Sequence, residues 1–218
     1  MAQLFVGTSG WAYPSWKPGF YPEKLAQTKF LPYYASQLNT VEVNLTFRQL
    51  LKDTTAQKWI AQTPESFRFA IKAHQVITHI KRLKNTEEFL SRFLSTIEPL
   101  ARAGKIAPVL FQLPPNMKAD PKLLEDFLKV IPRGVQAAFE FRNESWFVDE
   151  IFSSLKQYNR ALCVAETEER VRAMVNRMHE HLSAGRDTYA YFKHEETPQG
   201  AIYAVDVLKE ATKNPATG

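Results

Sequence analysis

The chain has 218 residues, a single cysteine, and 28 Lys+Arg against 23 Asp+Glu, for a formal net charge of +5. Its hydrophobic fraction of 44% and charged fraction of 23% exclude a disordered chain, a collagen-like chain and a disulfide-built miniprotein. The length is short for a (β/α)₈ barrel, which typically takes about 250 residues.

Strands are expected at Gln3–Gly7, Thr40–Asn44, Phe67–Lys72, Pro108–Leu113, Gln136–Phe141, Arg160–Ala165 and Thr188–Lys193. Helices are expected near Lys29–Gln37, Asp53–Gln62, Thr86–Ala103, Pro121–Val130, Ser145–Gln157, Glu169–Ser183 and Ala201–Thr212. Asp120 before Pro121 is an N-cap followed by a first-turn proline, and Ser145 is in place to cap the helix carrying Trp146. Gly104 and Gly185 are placed as C-terminal stops. This alternation implies a mostly parallel sheet covered by helices. No linker divides it, so one domain over residues 1–212 and a flexible tail over 213–218 are expected. Gly7-Thr-Ser-Gly10 runs into an aromatic loop and not into a helix, which argues against a dinucleotide fingerprint.

Parallel strands covered on both faces normally read as continuous apolar runs. Several here do not. In Val41-Glu42-Val43-Asn44 the acid and amide share one face, and in Phe139-Glu140-Phe141-Arg142 the acid and the arginine do. Other strands end in Lys72, Gln112 and Lys193. All these polar groups sit at strand C-terminal ends, the rim where α/β barrels build their sites. Glu42 and Glu140 are therefore the acid/base candidates. Lys72, Arg142 and Lys193 suit an anion, and Asn44 and Gln112 suit substrate orientation. A structural ion-pair network among the same groups is the competing reading. Glu166 is a further acid at the end of the sixth strand.

The segment 72–84 is basic, with Lys72, Lys81, Arg82 and Lys84 beside His74 and His79 and no acidic residue. It would attract phosphate or carboxylate. Trp11, Tyr13, Trp16, Phe20 and Tyr21 crowd the first loop, where they either stack on a ligand or pack on one another. Trp11 and Trp146 are candidate walls of the site. There is no Walker loop, no Cys-x-x-Cys and no Gly-x-Ser-x-Gly. His194-Glu195-Glu196 alone does not make a ligand set, so neither a metal nor a cofactor is expected. No run of about 18 apolar residues predicts a membrane span, and the N-terminus does not read as a secretory signal. Cys163 lies in an apolar run and reads as a small buried hydrophobe. A reduced cytoplasmic setting is expected.

Six motifs occur in order: Val6-Gly-Thr-Ser-Gly-Trp-Ala-Tyr13, Thr40-Val-Glu-Val-Asn44, Phe67-Arg-Phe-Ala-Ile-Lys72, Thr78-His-Ile-Lys-Arg-Leu-Lys84, Val109-Leu-Phe-Gln-Leu-Pro-Pro115 and Phe139-Glu-Phe-Arg-Asn-Glu-Ser-Trp-Phe147. Together they resemble the YecE-like family, a domain of unknown function, over nearly the whole chain. The resemblance implies a TIM-barrel-like (β/α) fold but assigns no activity. Its motif positions include Glu42, Asn44, Lys72, Gln112, Glu140, Arg142 and Trp146. The family pattern usually carries one more βα unit, of about 30 residues, between the sixth strand and the last. Here that interval shrinks to the stretch between Glu166 and Val171. Three functions compete: an enzyme acting on a small anionic or sugar-like substrate, a nucleic-acid-binding protein or nuclease using the basic loop, and a non-catalytic interaction scaffold. The modest positive charge permits nucleic acid without requiring it.

Overall fold

A computed structural model describes residues 2–164, 171–193 and 196–213. Seven strands and seven α-helices alternate among them. They are β1 (Leu4–Thr8), α1 (Phe30–Gln37), β2 (Thr40–Val43), α2 (Asp53–Gln62), β3 (Arg68–Lys72), α3 (Glu87–Arg102), β4 (Ile106–Gln112), α4 (Pro121–Val130), β5 (Ala137–Glu140), α5 (Asp149–Gln157), β6 (Ala161–Cys163), α6 (Val171–Ser183), β7 (Thr188–Phe192) and α7 (Gln199–Lys213). Strand order is β1-β7 in one sheet and β2-β3-β4-β5-β6 in the other. Among the described residues neither sheet closes into a ring. The interval from Ala165 to Arg170, where the shortened βα unit was expected, lies outside the described residues, as do Glu166, His194, Glu195 and the tail from 214 onward.

The chain divides into two compact units. The first comprises Met1–Val43, Lys58–Phe69 and Glu166–Gly218, and the second Asn44–Gln57 and Ala70–Ala165.

In the first unit β1 pairs with β7 in parallel, Leu4 opposite Thr188 through Thr8 opposite Phe192. A single parallel bridge, Ser9 to Glu42, joins the end of β1 to β2. Gly7 permits this approach. A Cβ there would fall 2.0 Å from the Thr40 carbonyl oxygen, a distance no side chain tolerates. The Tyr34 hydroxyl, fully buried, ties the strands together. It accepts from the Thr8 amide at 2.8 Å and donates to the Thr40 carbonyl at 2.9 Å. Burial pushes its titration well above the ordinary tyrosine range.

The aromatic first loop packs mainly on itself. Trp16 and Tyr21 are buried, Tyr21 stacks on Phe30 at 4.0 Å, and the Tyr21 hydroxyl donates to the Trp11 carbonyl. Of the rings named in the sequence, Trp11 and Tyr13 remain half-exposed.

In the second unit β4 pairs with β5 and β5 with β6, all parallel. The alternation read from the sequence holds. Phe111 and Phe139 stack at 5.3 Å and both meet Phe127 of α4 edge-on, so they face the helix layer. Gln112 and Glu140, one residue on, turn to the opposite face. Asp120 caps α4 as expected, its Oδ1 accepting from the Leu123 amide at 3.0 Å. Gly104 and Gly185 end their helices with φ of 66° and 74°.

The segment expected as one helix from Ser145 divides in two. A 3₁₀ turn, Glu144–Trp146, is capped by Asn143, whose Oδ1 accepts from the Ser145 amide. Val148 is then extended, with φ −130° and ψ 153°, and α5 starts at Asp149. Ser145 does not cap that helix. Its hydroxyl donates to Asn143 Oδ1 and accepts from the Ala119 amide. Asn143 wins the cap because an amide oxygen on an extended residue reaches the next turn.

Replacing Tyr34 with Phe strands the Thr8 amide and the Thr40 carbonyl in a buried space. Urea unfolding is expected to show a loss of about 1–3 kcal/mol; an unchanged midpoint would mean that these groups find other partners.

Candidate functional site

The residues singled out from strand ends fall into two sets, one in each unit. The first unit presents Glu42. Its carboxylate accepts from the Ser9 hydroxyl at 2.7 Å, and its backbone carbonyl accepts from the Gly10 amide at 2.9 Å. Ser9 is buried and Glu42 half-exposed. The Ser9 amide donates to the Phe192 carbonyl, so the end of β7 also braces the serine. Beneath lies a hydroxyl chain. Thr40 Oγ1 donates to the Arg68 carbonyl at 2.9 Å, which leaves Tyr191 to donate to Thr40 Oγ1 at 3.1 Å. Tyr191 titrates far above its ordinary value, first because it is buried; Glu42 adds to the shift. Trp11 meets Trp59 edge-on at 5.2 Å. Lys193 is exposed, just beyond β7. A cavity of about 200 Å³ in this unit is lined by Leu38, Asn39 and Phe67. It opens at the N-terminal ends of β2 and β3, away from Glu42.

The second unit gathers the cations. Gln112 and Glu140 are register partners on β4 and β5, so their side chains stand on one face about 5 Å apart. Glu140 Oε1 accepts from Arg142 Nε at 2.7 Å. The arginine side chain is 43% exposed, so this pair contributes at most about 1 kcal/mol to stability. The two terminal nitrogens of Arg142 form no hydrogen bond among the described residues and stay available to a ligand. Asn44 opens the 3₁₀ turn Leu45–Phe47. Within that turn the Thr46 hydroxyl donates to the Lys72 carbonyl at 2.7 Å, which fixes the end of β3. Lys72 Nζ lies over the Phe47 ring, 5.1 Å from its centroid, a cation–π contact. Trp146 is fully enclosed. Its indole donates to the Met117 carbonyl at 2.7 Å and its ring stacks on Phe141 at 4.9 Å. It holds the segment that bears Arg142 and presents no face to a ligand.

One residue joins this set that was not among the strand-end candidates. His79 meets Phe47 edge-on at 4.9 Å. It sits on a π-helical turn, Val76–Ile80, a form that is rare and frequent at functional sites. Just beyond, Arg82, Leu83 and Asn85 all adopt positive φ, at 47°, 69° and 50°. Left-handed backbone costs about 1–2 kcal/mol for residues such as Arg82 and Leu83, less for Asn85, so the loop is strained in the way sites tend to be. It is pinned by Lys81 Nζ on the Asn85 carbonyl, by Arg82 on Asn116 Oδ1 at 3.2 Å, and by buried Leu83. Burial lowers the His79 titration below its ordinary 6.5, and Lys72, Arg142 and Arg82 depress it further. Three strand-end and loop cations thus act electrostatically on one imidazole, after its burial. His74, buried nearby in sequence, is also depressed by burial, against a hydrogen bond to Arg48. Its Nδ1 accepts from the Val76 amide. Among the described residues there is no group of three or more His, Cys, Asp or Glu able to hold a metal, and no helix is long and apolar enough to cross a membrane. Cys163 is half-buried and forms no disulfide.

The fold and this geometry define an α/β protein with polar and charged groups gathered at the C-terminal ends of its strands. The model for a protein family described as "Protein of unknown function DUF72" matches residues 5–191, and the chain belongs to that family. It is 30% identical over 164 residues to the UPF0759 protein YunF of Bacillus subtilis (strain 168), covering 72% of this chain and 57% of that protein. It is 29% identical over 145 residues to the UPF0759 protein YecE of Escherichia coli (strain K12), covering 66% and 50%. The chain thus spans about half the length of the curated relatives it matches. A DUF72 family protein of Thermotoga maritima MSB8 superposes with a TM-score of 0.80 at 24% identity, over 96% of this chain and 99% of that one. One from Enterococcus faecalis V583 gives 0.74 at 14%, over 98% of both. These likenesses speak to the fold.

His74 and His79 both bind protons less readily folded than unfolded. Their contribution to stability is therefore present above pH 6.5 and lost as pH falls through their lowered values. Denaturation between pH 7.5 and 5 is expected to show declining stability, with a shallower decline in His74→Gln. Arg82→Gly relieves a left-handed side chain and removes one cation. We expect a gain of up to about 1 kcal/mol, after glycine's own entropy cost, and an upward shift of the His79 imidazole resonance titration by NMR. A downward shift would contradict the electrostatic assignment.

Proposed function

We propose that this chain is a TIM-barrel-like enzyme of the DUF72 family that takes a small phosphorylated or carboxylated substrate at the C-terminal ends of the second unit's strands. The sevenfold β/α alternation and the likeness to solved DUF72 structures support the barrel reading. On that reading the barrel carries about one βα unit fewer between β6 and β7. The observation that carries the functional reading is the Phe47 ring shared by Lys72 and His79, with the Arg142 guanidinium ending the neighbouring strand-end set. Like charges are not crowded together without cost, and a bound anion offsets it.

In this reading Arg142 supplies a fork of donors and Lys72 a point charge to the anion. Gln112 and Asn44 orient the rest of the substrate. Glu140, largely enclosed and hydrogen-bonded to Arg142, transfers the proton. Trp146 is a positioning residue for Arg142. Glu42, held by Ser9, is the acid/base candidate of the first unit, and Trp11 and Lys193 are its outlying candidates. A reduced cytoplasmic setting suits the lone cysteine.

A compact ligand is favoured over a polyanion such as nucleic acid. Lys81 is turned back on its own loop and Arg82 is tied to Asn116, so neither of these two loop cations is held out toward a long polyanion. Thermal-shift screening of phosphorylated and carboxylated small molecules tests the reading. At least one is expected to raise the wild-type melting temperature, with the shift lost in Lys72→Ala and Arg142→Ala. Equal shifts in wild type and both variants would defeat the assignment.

A further inference from the structure

We infer that His79 is a proton-linked anion ligand: in its charged form Nε2 hydrogen-bonds the bound anion, so the ligand arrives with a proton. The inference rests on the anion-binding reading of the second unit and adds to it the protonation state of the site.

The geometry carries it. Thr78 Oγ1 lies 2.9 Å from His79 Nδ1, while Nε2 makes no hydrogen bond among the described residues. A hydroxyl both donates and accepts. On the neutral ring its role follows the tautomer; on the charged ring it accepts from Nδ1–H, which leaves Nε2–H to face the anion, and the anion's charge favours that charged form. Thr78 is buried, so this partner does not drift into solvent. The ring meets Phe47 edge-on, and Phe47 also carries the Lys72 ammonium over its ring. Phe47 thereby links the two groups.

The charges acting on this ring come from several elements. Lys72 ends β3. Arg142 follows β5 and is bonded to Glu140. Arg82 belongs to the same loop as His79, and Lys81 there is turned to Asn85. The 3₁₀ turn contributes the uncharged Phe47. Helix α3, packed against the segment, carries Glu87 and Glu88 in its first turn, both exposed. Burial first, and these cations after it, lower the ring's titration. A doubly charged anion offsets the cations, and the ring then gains both a proton and a partner for Nε2.

The direction of the pH dependence follows. The free ring titrates below 6.5, and a bound anion raises it. The complex therefore holds more protons than the free protein between those two values. Binding tightens as pH falls through that window, by up to about tenfold per pH unit, and levels off below the free value. The linkage lets a site made of fixed cations release its ligand as pH rises, a property that Lys and Arg alone cannot supply.

Sulfate is the suitable probe, because it carries two charges and does not itself titrate in this range. Calorimetry near pH 6, repeated in buffers of different ionisation enthalpy, counts the protons taken up. Wild type is expected to take up most of one proton per sulfate, and His79→Gln none. The imidazole C2–H resonance of His79 in the wild-type protein is expected to titrate higher when sulfate is present. That measurement stands even if the variant fails to fold. Sulfate binding without proton uptake, or uptake that persists in His79→Gln, overturns the role of His79 and leaves the anion site standing. Absence of sulfate binding, or binding undiminished in Arg142→Ala, overturns the anion site and the inference with it.

Discussion

The Phe47 ring shared by the Lys72 ammonium and the His79 imidazole is the contact on which the candidate site of the second unit turns. Lys72 arrives on β3, Arg142 just past β5, and Arg82 on a loop with three left-handed side chains. Each element has an independent reason to be where it is. Thr46 fixes the Lys72 carbonyl, Trp146 stacks beneath the Arg142 segment, and Leu83 anchors the loop in the core. On the proposed reading, an arrangement held by packing in this way is preorganised for an anion.

The first unit is organised on different physics. Its strands are joined by buried hydroxyls, Tyr34 at Thr8 and Thr40, and Tyr191 at Thr40. The neutral phenols there are kept neutral by burial, Tyr189 included, which is pushed up to about 12. Glycine at position 7 admits the close approach of β1 to β2. The product is a Ser9–Glu42 contact held at 2.7 Å on rigid strands, where geometry is more reliable than on a loop.

Much of this was readable from residue order because strand side chains alternate with a period of two. That rule put the phenylalanines toward the helices and Glu140 on the opposite face; the structure ends β3, β4 and β5 at Lys72, Gln112 and Glu140, one residue short of the expected ends at Leu113 and Phe141 for the last two. Histidine 79 escaped it. A π-helical turn has no hydrophobic period, and Arg82, Leu83 and Asn85 take up glycine-like backbone without glycine to announce it. The only sequence signal was a histidine inside a run of cations. Trp146 was ambiguous for a different reason: an indole can wall a ligand or fill a core, and only the stacking on Phe141 and the bond to Met117 decide. The division into two units is not marked by a linker in the sequence, and two of its boundaries fall inside α2 and β3.

The central claim is that the cations of the second unit are gathered for an anion. Anomalous diffraction from crystals soaked in selenate, a heavier analogue of sulfate, tests it most directly. The account predicts a selenium peak within hydrogen-bonding reach of His79 Nε2 and the Arg142 guanidinium. A well-occupied peak elsewhere on the surface, with none at His79, would contradict it.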